Sequence, residues 1–70
     1  MPIAFAPLNT ELRIVRIGAD DKVKKHLESL GITIDSKIQV LSSVGGNVIL
    51  QVKDGRLALD RNLAGTIFVA

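Results

Sequence analysis

His26 is the only histidine of this 70-residue sequence, and there is no cysteine to act beside it as a nucleophile or ligand. Nucleophilic catalysis needs an activated Ser, Thr, Lys or Cys next to a base that a third group orients. One helical turn from His26 stand Lys22, Val23, Ser29 and Leu30, none of them a carboxylate. The residue therefore reads as a solvated or half-packed helix histidine. Ligand sets can also be recruited across strands, but one His, no Cys and scattered Asp residues point away from a dedicated high-affinity transition-metal site. Asp20 and Asp21 form an adjacent acidic pair that an enzyme could use as acid and base. Successive helix residues point about 100° apart, and first-turn carboxylates are favoured by the helix dipole alone, so capping explains them better. Gly45-Gly46 has neither the spacing of a phosphate loop nor a helix after it, and it reads as a hairpin pair. No catalytic residue, cofactor site or metal site is assigned.

Charge is equally unspecific. Nine Lys or Arg against seven Asp or Glu leave +2, far below the concentrated charge that drives binding to a phosphate backbone. Arg13 and Arg16 have opposite parity along a strand, and Lys22 and Lys24 diverge on a helix, which spreads the charge around the surface. Phe5 and Phe68 are the only aromatics, too few for a base-stacking platform. No nucleic-acid partner is expected. No stretch approaches the roughly 20 apolar residues that span a bilayer, so direct membrane insertion is not expected either, and the lack of cysteine fits a reducing, cytoplasmic setting.

These residues need a scaffold, and 70 of them suffice for one domain, residues 1–70. The continuous unit is expected to begin near Asn9. Leu12 to Ile17 is β-branched and stops at Gly18, as a strand does. From Asp21 the period changes: Val23, Leu27 and Leu30 lie on one stripe of a helix over about residues 21–30, closed by Gly31. Ile38 and Val40 then share a strand face, and Gly45-Gly46-Asn47 supplies a turn. Val48, Leu50 and Val52 line one side of the next strand, and Asp54-Gly55 signals a second hairpin into Arg56–Leu59. A turn around Asp60 to Ala64 leads to a last strand, Thr66–Val69. Five short strands and one helix cannot cover two broad sheet faces. The economical solution is a mainly β fold, a small SH3-like five-stranded barrel with one short α-helix after the first strand that closes one end.

The order Leu27-Glu28-Ser29-Leu30-Gly31-Ile32, Ser36 to Val40, Gly45 to Val48, Arg56-Leu57-Ala58-Leu59 and Ala64 to Val69 resembles the FeoA family, ferrous iron transport protein A. The likeness covers about residues 12–69. It departs at Ile34-Asp35, where the family usually has Pro-Gly, and Asp is among the residues that tolerate a left-handed turn. The resemblance implies a cytoplasmic accessory protein of ferrous iron uptake that docks on FeoB, the membrane iron transporter with a GTP-binding domain, without chemistry of its own. It implies at most weak contact with Fe²⁺, and a location that is peripheral to the membrane only through FeoB. The contact surface expected from it is the helix end and barrel rim, at Leu30, Gly31, Ile32 and Arg56, where Leu30 and Gly31 equally serve core and cap. FeoA-like domains are also similar to the C-terminal module of diphtheria-toxin-repressor-type metal regulators. The alternative reading is thus an SH3-like module associated with a metal-dependent transcriptional regulator.

Overall fold

Apolar residues at every second position make each strand one-sided, and burying those sides together builds the sheet. The computed structural model describes residues 1–53 and 55–70. A 3-10 turn, Ile3–Phe5, precedes β1 (Glu11–Ile17), α1 (Asp21–Ser29), β2 (Lys37–Val44), β3 (Asn47–Val52), β4 (Gly55–Leu59), α2 (Arg61–Ala64) and β5 (Ile67–Val69). The strands form one antiparallel sheet in the order β4-β3-β2-β1-β5. β1 divides its partners: Glu11 to Arg13 pair with β2, and Ile14 to Ile17 pair with β5. This change of partner wraps the sheet around its core, leaving β4 and β5 as the two edges.

The expected architecture of five strands with a helix after the first is present, and the strand and helix limits fall within a few residues of those read from the periodicity. Asp20 caps α1 by accepting a bond from the N–H of Val23 at 2.9 Å, and Asp60 caps α2 in the same way through Leu63, also at 2.9 Å. Asp54, the first residue of the second hairpin signal, lies outside the described residues.

Three expectations change. The unit does not begin near Asn9. Ile3 is fully buried and Ala6 nearly so. Val69 N–H donates to Met1 O at 2.8 Å, and Leu8 bridges Val40 beside β2. Four apolar residues between two prolines carry no strand or helix period, so nothing local marks this stretch as packed. Covering of the core is also shared: the 3-10 turn lies against β2, β3 and β5, α2 packs on β3 and β4, and α1 contributes Leu27. Lastly, the β1–β5 register slips between Ile14 and Arg16. This bulge, which adds one residue at Val15, cancels the parity argument and turns Arg13 and Arg16 both outward.

At the β2–β3 turn, Gly45 and Gly46 have φ of +60° and +86°, as a two-residue primed turn demands. A Cβ on Gly46 would lie 2.9 Å from Arg61 Cβ, because the turn is drawn onto α2 by a bond from Arg61 N–H to Asn47 Oδ1 at 2.9 Å. Gly46→Ala is therefore expected to cost about 2 kcal/mol, from the left-handed backbone plus the collision, and to lower Tm by roughly 10 °C. Gly45→Asn, with open space around it, should cost less than about 1 kcal/mol. Paired thermal melts check the contrast, and equal losses would refute the close-approach argument.

Candidate partner-binding surface

The helix end that carries three of the four expected contact residues is a fully formed C-terminal cap. Leu30 ends α1, Gly31 takes φ +90°, Gly31 N–H donates to Glu28 O at 3.0 Å and Ile32 N–H to Leu27 O at 2.9 Å. This is the Schellman arrangement, with its hydrophobic clasp supplied by Leu27 and Ile32, both fully buried. The geometry sorts the candidates. Gly31 is exposed, Leu30 is half-buried, and Ile32 is a core residue whose side chain has no free surface.

From Thr33 the chain crosses to β2 in a loop held at several points. Ser36 Oγ accepts from Thr33 N–H at 3.2 Å and donates to Thr33 O at 2.7 Å. Asp35 N–H donates to Ile14 O at 2.7 Å, and Ile14 N–H to Ser36 O at 3.0 Å, which pins the loop to β1. Asp35 adopts φ +70°, so the left-handed turn is kept at the position where proline and glycine were absent from the pattern. Its carboxylate pairs with Arg13 at 2.5 Å on the open surface. Such an exposed pair contributes little stability, up to about 1 kcal/mol, and its service is to orient the loop.

Between this loop and the β2–β3 strands lies an open groove of about 660 Å³, lined by Glu11, Gly31, Asp35, Lys37, Gln39, Gln51 and Lys53 among others. Lys37 and Glu11 form an exposed pair at 3.4 Å. Gln39 and Gln51 stand directly opposite each other, and Gln51 Nε2 donates to Val52 O and Gly55 O at 3.1 and 3.2 Å. Arg56 is the cross-strand partner of Gln51 on β4, exposed and one strand further out than the groove. The structure thus brings Gly31 together with polar residues that sequence reasoning did not single out. Their signal was the outward phase of each strand, which holds Gln39 and Gln51, but solvent-facing amides are too common to stand out.

Chemically, the groove offers hydrogen-bonding amides and charges of both signs on rigid strands. His26 is exposed on α1, away from any carboxylate cluster: among the described residues no three of His, Cys, Asp or Glu come together. All the buried residues described are apolar. Several large apolar side chains are exposed instead, with Phe5 81% and Val44 72% accessible. Among the described residues no helix is long and apolar enough to cross a membrane.

Comparison with known proteins agrees with this geometry. The family profile described as FeoA domain matches residues 1–70. A Methanocaldococcus jannaschii protein provisionally named Fe(2+) transport protein A is 37% identical over 68 residues, covering 97% of this chain and 83% of the relative. The crystal structure of an iron uptake regulatory protein (FeoA) superposes with a TM-score of 0.87 at 28% identity, covering 99% of this chain and 93% of the other. A manganese-dependent transcriptional repressor superposes equally well, TM-score 0.87, at 22% identity. All of this chain corresponds to 40% of that repressor, and the likeness is one of fold. The SH3-like fold is thus common to iron-transport and repressor proteins, and by its whole-length match this chain belongs to the FeoA family.

Proposed function

We propose that this protein is an accessory subunit of ferrous iron uptake that works at the cytoplasmic side of the membrane by docking on the FeoB transporter, and that it carries out no catalysis. The observation that supports the reading most is the whole-length family match, joined to a relative named for Fe(2+) transport. The surface is consistent with it: a rigid, solvent-open groove beside the α1 cap, with Gly31 on its wall and Arg56 on the adjoining strand. Docking onto such a surface depends on shape and complementary charge, so both sides are expected to stay close to their free conformations. In this proposal Fe²⁺ is the cargo of the transporter, and the subunit touches it weakly or not at all. The repressor-associated reading rests on fold likeness, which does not identify a partner.

The test is a binding measurement with purified FeoB and with its isolated GTP-binding domain, each in GTP-analogue and GDP states. Binding to at least one form is expected, weakened by Lys37→Glu on the groove wall without change in melting temperature. Failure to bind any of the four would sink the proposal.

A further inference from the structure

The two edges of the sheet are treated differently. The edge at β5 is occupied, because Val69 N–H donates to Met1 O and Pro2 bridges Phe68. The edge at β4 is bare: among the described residues no main-chain group outside β3 bonds to Arg56 or Ala58. Val52 and Gly55 are the last cross-strand partners of the β3–β4 ladder, and with only two positions between them in sequence this closing pair exchanges its hydrogen bonds, so the alternation along the ladder directs Leu57 and Leu59 toward β3. Arg56 and Ala58 consequently turn their N–H and C=O groups outward. Edges left in this state template further strands; β4 contains no proline, no bulge and no inward charge, and its one edge charge is Arg56.

We infer that β4 pairs antiparallel with β4 of a second copy of this chain, making a two-fold dimer with a continuous sheet. The sequence of the edge selects both the occupant and the register. Arg56 opposite Arg56 sets like charges face to face, and Arg56 opposite Ala58 leaves the charge without a partner. Ala58 opposite Ala58 is different: each Arg56 then faces Asp60 of the other copy, and the outward N–H and C=O of the two Ala58 residues meet. Asp60 is exposed and extended (φ −71°, ψ 167°); its C=O accepts from Ala64 N–H and one carboxylate oxygen caps Leu63, so it meets the second copy through its N–H and the other carboxylate oxygen. The strand is self-complementary in charge as well as in hydrogen bonding. Ile49, the cross-strand neighbour of Ala58, is 42% exposed, and the dimer places its counterpart across the two-fold, joining two small apolar patches into one. One symmetric pair of short strands is a small interface, so dimerisation is expected to be weak.

Sedimentation of the full chain at rising concentration, up to about 1 mM, tests this. A dimer fraction that grows with concentration is expected. Ala58→Pro removes an outward N–H that β3 does not use, and should leave a monomer with near-normal melting temperature. Arg56→Asp turns two attractions into repulsions and should weaken the dimer roughly tenfold. The register has its own readout, because the chain has no cysteine: Ala58→Cys should give a disulfide-linked dimer under mild oxidation well before Val44→Cys does. A monomer at every concentration overturns the inference. So does a dimer indifferent to Arg56→Asp, or equal cross-linking at positions 58 and 44, and these two hold even if Ala58→Pro unfolds.

Discussion

Leu27→Ala is expected to unfold a large fraction of the protein at 37 °C. Leu27 is the only buried residue of α1, it belongs to the hydrophobic core cluster, and its carbonyl receives the bond that closes the helix cap. Truncating it removes the anchor that holds the helix on the sheet and opens a cavity beneath Ile32. Core Leu→Ala changes cost about 2–5 kcal/mol, while domains of this size stand near the lower end of the ~5–15 kcal/mol range of stability. Urea denaturation followed by circular dichroism should show the midpoint falling toward zero. Leu27→Met, which keeps the volume, should lose less than about 1.5 kcal/mol. A Leu27→Ala protein within 1 kcal/mol of the parent, on the scale of ordinary surface changes, would mean that α1 is not part of the cooperative unit.

The second large effect is expected at Ile3, in a segment whose sequence shows no strand or helix period. Ile3 is fully buried in the same cluster, beneath a 3-10 turn that Ser43 Oγ secures by donating to Ala4 O at 2.9 Å. Ile3→Ala should cost about 2–5 kcal/mol, as at any packed core position. Phe5→Ala, two residues later and 81% exposed, should change stability by less than about 0.5 kcal/mol. The contrast separates a segment that is built into the core from one merely lying on it. Similar small losses at both positions would restore the view that the folded unit starts near Asn9.

Much of the scaffold was readable because its signals are local. The strand phases at Ile38 and Val40 and at Val48 and Leu50, the Asp20 cap and the Gly31 closure each depend on residues a few positions apart, and each stands where its spacing put it. What escaped depends on distant partners. The Val15 bulge answers to β5, more than fifty residues away in the chain, and the burial of Ile3 answers to strands that a linear reading cannot bring near. The site shows the same division. Gly31 is legible as a cap from its position after the helix stripe, whereas the burial of Ile32 against Leu27 follows only from the cap's three-dimensional geometry. The facing of Gln39 by Gln51 exists only once the β2–β3 register is known. Arg56 stood out as part of a familiar stretch of sequence, and its position on a bare edge is a fact of topology.

β1 is hydrogen-bonded to β2 along its first half and to β5 along its second. A strand shared in this way leaves no seam along which the domain could come apart in pieces. The β2–β3–β4 meander and the β5 edge with its N-terminal cover are therefore expected to melt together, so that a loss at one end is registered at the other as a change in the whole population rather than as local fraying.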